Sequence, residues 1–392
     1  TLPSMIELVS GHVSVNQFRE VSLIDLLGRD EITLDESLIS SYIHGKRVMI
    51  TGAGGSIGAE LVRQCLKYEP ALLVMLDNSE YNLFEIDREI LHLQTNVLIK
   101  PVLSNIRDMN ILDKVFQEFE PQVVLHAAAY KHVPMQEAFP WEAIKTNVHG
   151  TSNMVKASLE HYVEKFVLVS TDKAVKPVNV MGATKRLAEL ICQGANTDSG
   201  TKFMAVRFGN VLGSSGSVIP IFQEQIQAGG PVTITDPDME RYFMSIPEAA
   251  QLIMQAGGIG DGGEVFVLDM GEPIRILDIA NELIRLSGFE PELDIPISFI
   301  GARPGEKKIE ELILDSEYVD RTTHEKIMVV NTSISKDEVK HITERIMKGE
   351  LNGYEFDKNE IRYRLAALVP EYEPDKNQGD PVILRIKPDF LA

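Results

Sequence analysis

The chain has 392 residues, 44% of them hydrophobic and 24% charged, in proportions that describe one large globular domain or two moderate ones. Its formal net charge of −20 argues against general binding to nucleic acid or to an anionic membrane surface, since both need a basic face. Cys65 and Cys192 are the only cysteines, which excludes a disulfide scaffold or a cysteine-rich zinc site and fits a reducing compartment.

No apolar run approaches the roughly 20 residues of a membrane-spanning helix, and no signal peptide opens the chain. The chain begins at Thr1, which fits a trimmed end or a longer parent equally. From Arg47 onward, short apolar runs alternate with helical patterns. Strands are predicted at 47–51, 72–76, 97–103, 123–126, 166–169 and 203–207, and helices at 56–67, 80–93, 109–119, 141–161 and 180–195. That alternation predicts an α/β fold with a Rossmann-type doubly wound parallel sheet, its faces covered by helices.

After Val211 the pattern loosens, with the loop Gly213-Ser-Ser-Gly-Ser217 and further loops near 236–241 and 257–263. A smaller C-terminal lobe is expected there, with one strand at 265–268 returning to the sheet and a helix at 276–286. The organisation read from sequence is a linker-like segment over 1–45, a dinucleotide-binding domain over 46–211 and a substrate-binding lobe over 212–334. A helical tail over 335–392 completes it, with charged helices at 337–348 and 359–368.

Thr51-Gly-Ala-Gly-Gly-Ser-Ile-Gly58 sits between the first strand and the first helix. Gly52, Gly55 and Gly58 have the spacing that gives a tight turn, lets the backbone approach a pyrophosphate and packs helix on strand. Ser56 and Ile57 lie on the same loop, and the helix that starts there offers free N–H groups to phosphate. Asp77, at the end of the second strand with Asn78 beside it, is placed to accept the adenosine ribose hydroxyls. An acidic residue there favours NAD over its 2′-phosphorylated form.

The glycine spacing resembles the extended short-chain dehydrogenase/reductase family. Three further stretches strengthen the resemblance: His126-Ala-Ala-Ala-Tyr-Lys-His-Val-Pro134, Lys145-Thr-Asn-Val-His-Gly-Thr151 and Ser170-Thr-Asp-Lys173. It implies that Ala127, Ala128 and Ala129 border the nicotinamide ribose, that Asn147 supports the site and that Lys185 holds the ribose. Ser104-Asn-Ile-Arg-Asp108 departs from the Gly-Asp-x-Arg-Asp of many relatives, so Asn105, with Ile106 next to it, is the residue expected near the adenine.

Most relatives carry Tyr-x-x-x-Lys on one helix face, where the lysine lowers the tyrosine pKa. Here Met181 takes the tyrosine's position and Lys185 is intact. A thioether cannot exchange a proton, which disfavours an ordinary alcohol dehydrogenase or sugar 4-epimerase. With Thr171, Asp172 and Lys173, the substitution resembles the long, membrane-anchored UDP-N-acetylglucosamine 4,6-dehydratases of polysaccharide and glycan biosynthesis. Arg207-Phe-Gly-Asn-Val211, Gly213-Ser-Ser-Gly-Ser-Val-Ile-Pro220, Arg241-Tyr-Phe-Met244 and Arg303-Pro-Gly-Glu-Lys307 match as well, and Arg19 to Gly28 is similar to the segment that follows the membrane region in those proteins.

The resemblance implies a bound NAD, UDP-N-acetylglucosamine as substrate, no metal, a homo-oligomer and a parent at the cytoplasmic face of the inner membrane. Lys173 would be the base at C5, Asp172 the acid at C6, and Thr171 would orient the C4 hydroxyl. Arg207, Arg241 and Arg303 would face the diphosphate, as guanidinium groups suit bidentate phosphate contact. Asn210, Ser214, Ser217 and Val218 would flank it, Glu306 would lie near the nucleoside, and Lys131 and His132 would line the sugar pocket. Two competing readings are a C5-inverting dehydratase and an inactive NAD-sensing regulator.

Overall fold

The computed structural model describes residues 32–93, 95–196, 200–314, 317–331 and 334–374. The linker-like stretch 19–28 and the end of the tail lie outside the described residues. Nine strands make the central sheet: β1 (Arg47–Thr51), β2 (Leu72–Asp77), β3 (Leu98–Leu103), β4 (Val123–His126), β5 (Lys165–Val169), β6 (Lys202–Arg207), β7 (Val265–Leu268), β8 (Tyr318–Arg321) and β9 (Ile327–Asn331). Their order is β8-β9-β7-β6-β5-β4-β1-β2-β3, and the strands from β1 to β7 pair in parallel. This is the expected α/β sheet. Strands β2 and β4 are buried along their whole length, because apolar clusters cover both faces. Parallel strands buried on both sides read as unbroken apolar runs.

The sequence places one returning strand beside the sheet, and the structure adds two more. β9 runs antiparallel to β7, and β8 antiparallel to β9. Part of the 212–334 segment therefore completes the main sheet instead of the smaller lobe. β8 carries Tyr-Val-Asp-Arg and is largely exposed, so an edge position removes the apolar pattern that would have marked it. The lobe itself packs helices Val218–Gln227 and Ile276–Leu286 over a separate cluster that includes Phe222, Leu283 and Ile284.

Two helical expectations change. The expected loop over 257–263 begins inside a helix, since Gly257 and Gly258 belong to Ile246–Ile259. That helix lies against Ser56–Leu66 and Glu36–Ile43. A Cβ on Gly257 would stand 2.6 Å from the Tyr42 hydroxyl, so close packing favours a glycine whose intrinsic helix cost is about 1 kcal/mol. The expected helix over 141–161 is divided into Pro140–Ala143, a π-helical stretch Ile144–Gly150 and Thr151–Glu160. Such π stretches gather at functional sites, and this one carries Asn147. The tail helices Lys336–Met347 and Lys358–Leu368 form within one residue of expectation, and both pack on Val180–Ala195. Among the described residues no helix is long and apolar enough to cross a membrane.

Candidate active site

The strand order reverses between β1 and β4, so a crevice opens beyond their carboxyl ends, where ligands of doubly wound sheets bind. Two loops meet there. Gly52 has φ +67°, and a Cβ on it would stand 2.7 Å from the Ala128 nitrogen. A Cβ on Gly58 would stand 1.9 Å from the Gly52 carbonyl oxygen. The loop is therefore closed to larger residues at both ends. Helix Ser56–Leu66 starts from Gly55 with no side-chain cap, which leaves its first N–H groups for an anion. Asp77 is buried, and its two carboxylate oxygens accept from the N–H groups of Gly54 and Ser79, each at 2.8 Å. Each oxygen keeps a second lone pair for a ribose hydroxyl.

A cleft of about 740 Å³ runs from this loop to the end of β5. Gly52, Gly55, Ser56, Ile57, Gly58, Ala127 and Ala129 line one part of it. Lys131, His132, Thr171, Lys173, Met181, Lys185, Asn210, Ser214 and Ser217 line the rest. Sequence positions spread over 166 residues thus share one cavity. The Gly213–Ser217 loop crosses the cleft, where the Ser215 N–H donates to the Ser56 hydroxyl at 3.2 Å and Gly216 sits against the His132 ring. Val218 follows as the first residue of its helix, outside the lining.

The reactive groups sit where β5 ends. The Asp172 N–H donates to the Phe208 carbonyl at 3.0 Å, extending the ladder beyond β6 and turning the chain into a 3₁₀ turn. Asp172 Oδ1 accepts from the Thr171 hydroxyl at 2.9 Å and from Lys173 Nζ at 3.0 Å. Lys173 also donates to Asn210 Oδ1 at 3.1 Å. Asp172 Oδ2 is buried and has no hydrogen-bond partner among the described residues. The base and acid roles expected of Lys173 and Asp172 would put both side chains in the cleft. Only Lys173 lines it, because the backbone bond to Phe208 draws Asp172 inward until it is 0% exposed. Thr171 and Lys173 are cleft-lining groups bonded directly to that carboxyl.

Helix Val180–Ala195 approaches this turn closely, since a Cβ on Gly182 would stand 2.1 Å from the Lys173 carbonyl oxygen. That approach brings Met181 and Lys185 to the wall. Lys185 donates to the Val169 carbonyl at 2.7 Å, and burial lowers its ammonium pKa to about 8. Asn147 lies behind the wall and bonds both the N–H and the carbonyl of Tyr130, as well as Thr184. It positions the segment before Lys131 and His132. Burial lowers the pKa of Lys131, and burial followed by the Lys131 charge lowers that of His132.

His126, at the end of β4, bridges Thr51 and Thr151 through its two ring nitrogens at 2.6 and 3.1 Å. Burial, with help from the Lys185 charge, pushes its pKa from 6.5 down to about 3. A depressed histidine favours folding at pH values above 6.5 and loses that contribution as pH falls towards 3, because only the unfolded chain takes up the proton. The slope is about 1.4 kcal/mol per pH unit for one proton. Urea unfolding at stepwise lower pH should therefore give a shallower acid decline for His126→Gln than for the native chain, and parallel declines would refute the assignment.

The expected roles of the arginines are altered most. Arg207 is fully buried and bidentate to Glu189 at 2.9 and 2.8 Å, with its remaining nitrogen 2.8 Å from Glu317. It cannot be a counter-charge to a diphosphate in the cleft. Burial alone would raise the Glu189 pKa, but Arg207 and Arg186 hold it at about 2. Ser170 also donates to Glu189, at 2.7 Å, so the cluster anchors the residue before Thr171. Arg241 donates to the carbonyls of Glu240 and Lys308, the Arg303 N–H donates to Glu306, and none of these three expected substrate residues lines the cleft. Asn78 is exposed beside Asp77, Asn105 accepts from the Arg107 N–H, and Ile106 is buried against Gly150. Glu310, which the sequence did not single out, is buried with its carboxyl group 3.9 Å from Lys173 Nζ. Its only sequence signal was a place three residues after the Arg303–Lys307 block.

Comparison with known proteins follows the same lines. The chain is 50% identical over 328 residues to the capsular polysaccharide biosynthesis protein CapD of Staphylococcus aureus, covering 83% of this chain and 55% of that protein. The chain thus spans about half the length of that relative. It is 34% identical over 279 residues to an inverting UDP-N-acetylglucosamine 4,6-dehydratase of Campylobacter jejuni, covering 70% of this chain and 79% of the other. A UDP-glucose 4-epimerase of Rickettsia bellii is 35% identical over 279 residues, with 69% and 79% covered. A family profile described as polysaccharide biosynthesis protein matches residues 48–332. With the parallel sheet, the glycine loop and the shared cleft, the chain belongs to this polysaccharide biosynthesis family, within the extended short-chain dehydrogenase/reductases.

Proposed function

We propose that the chain is an NAD-dependent nucleotide-sugar 4,6-dehydratase that converts UDP-N-acetylglucosamine to the UDP-4-keto-6-deoxy-N-acetylhexosamine, retaining the C5 configuration. The observation that carries this reading is the Thr171–Asp172–Lys173 cluster at the cleft with Met181 on the wall. A 4-epimerase needs a proton-exchanging group at the tyrosine position, and a thioether is not one. The glycine cradle, the uncapped helix start and Asp77 fit NAD, with Lys185 at its ribose. The family supports a nucleotide sugar, and the reading extends to a longer, membrane-anchored, homo-oligomeric parent; the capsular relative's greater length supports the added length alone.

Held by the Gly52–Gly58 loop, Asp77 and Lys185, NAD would supply the hydride acceptor for C4 and the hydride donor for C6, and so would be unchanged after each turnover. Thr171 orients the C4 hydroxyl, whose proton leaves towards Lys185 and water. The resulting ketone acidifies the C5 proton, which Lys173 removes. The C6–O bond then breaks, and a proton from Asp172 lets the oxygen leave as water. The Asp172 carboxyl reaches the cleft through its Oδ1, which is bonded to the Thr171 hydroxyl and to Lys173 Nζ. Lys173 returns its proton to C5, and the proton released from the C4 hydroxyl restores Asp172. The sum is loss of one water.

Incubation with UDP-N-acetylglucosamine, followed by NMR of the sugar, should show a 4-keto-6-deoxy product with C5 retained. Heat-denatured protein should release NAD. A C5-inverted product would favour the reading of the Campylobacter relative, a 4-epimer would overturn dehydration, and release of the 2′-phosphorylated cofactor would overturn the role of Asp77.

A further inference from the structure

The neighbours Asp172 and Lys173 meet a third ionisable side chain, Glu310, from a distant part of the chain, at the cleft. Lys173 Nζ is 3.0 Å from Asp172 Oδ1 and 3.9 Å from Glu310 Oε1. The Lys173 side chain is 17% exposed, Asp172 0% and Glu310 3%. Taking a carboxylate out of water is costly unless an opposite charge meets it. Two other cations influence Glu310. Arg241 donates to the carbonyls of Glu240 and Lys308, and Lys307 donates to the Val175 carbonyl.

We propose that Glu310 is a positioning residue for the elimination, supplying the counter-charge to the Lys173 ammonium while Asp172 still holds its proton. The proposal rests on the dehydratase reading. When Lys173 takes the C5 proton it becomes a cation in a nearly closed site. At that moment Asp172 is neutral, because its proton has yet to pass to the C6 oxygen. Glu310 is then the nearest anion to the new ammonium. Once Asp172 has given up its proton, its own charge takes over part of that task, which favours return of the cycle to its start. Burial first, and then Asp172, raise the Glu310 pKa, while Lys173, Arg241 and Lys307 oppose the rise. Burial outweighs the cations and the net shift is upward, so Glu310 depends on them, Lys173 foremost, to keep its charge.

The test compares native enzyme with Glu310→Gln and Glu310→Asp across pH, using NAD-loaded protein and UDP-N-acetylglucosamine. Glu310→Gln keeps the shape and removes the charge. Its rising pH limb of kcat should move to lower pH by about one to three units, the usual influence of one nearby charge. Exchange of the C5 hydrogen with deuterated water should slow, by less than the roughly 10²–10⁴-fold expected for loss of the base itself. Glu310→Asp should keep the native pH limb. A pH limb that stays in place in a folded, NAD-loaded Glu310→Gln protein would overturn the proposal, as would an equal displacement in Glu310→Asp. If Glu310→Gln fails to fold, a displaced limb in Glu310→Asp overturns the proposal and an unmoved one supports it. Native enzyme that makes no 6-deoxy product would overturn the dehydratase reading itself, a result distinct from all of these.

Discussion

Asp172→Asn is expected to lower the dehydration rate by about 10²–10⁴-fold, the usual contribution of a positioned acid or base. The amide keeps the volume and can still accept from Thr171 and Lys173, but it has no proton to give to the C6 oxygen. Lys173→Met should cost a similar factor by removing the base at C5. Both variants can still oxidise C4, so bound cofactor should accumulate in its reduced form, visible by its near-ultraviolet absorbance, without release of a 6-deoxy sugar. Met181→Leu is the control. Met181 is 3% exposed on the cleft wall, and a volume-conserving exchange there costs below about 1.5 kcal/mol. The assignment fails if Met181→Leu is as damaging as Asp172→Asn in folded, loaded protein, or if Lys173→Met turns over normally.

Arg207→Met should produce the largest loss of stability, about 3–5 kcal/mol by denaturant unfolding, the range for stripping one partner from a buried ion pair. Two carboxylates, Glu189 and Glu317, would be left in the interior without their shared cation. Replacing Glu317 by leucine in the same chain should recover part of the loss, because Glu317 then no longer needs a counter-charge, whereas Glu189 keeps its pair with the buried Arg186. Activity should fall with stability, since Glu189 also holds Ser170 next to Thr171. A stable Arg207→Met protein with only a raised KM for the nucleotide sugar would restore the diphosphate role that the sequence suggested.

Several features of the site were already written in the linear text. The β1–helix glycine loop could be recognised because a pyrophosphate cradle needs glycines at fixed local spacing, and Asp77 because it closes the next strand. The parallel sheet could be recognised because strands buried on both faces are continuously apolar, as β2 and β4 are. Thr171, Lys173, Met181 and Lys185 could be grouped because one turn and one helix carry them. All these signals are local, set by spacing within a single element or a single connection.

Only the tertiary structure decided the rest, because charge pairing and burial depend on which distant segments meet. Arg207 reads the same in sequence whether it faces phosphate or carboxylate, and Glu189 and Glu317 from elsewhere in the chain decided it. Asp172 and Lys173 are neighbours in sequence, yet a single backbone hydrogen bond to Phe208 buries one and leaves the other in the cleft. β8 joined the sheet without an apolar pattern because an edge strand can be exposed. Glu310 looked like one more surface acid in a chain of net charge −20, and it acquired meaning only when folding removed it from water and set it beside Lys173.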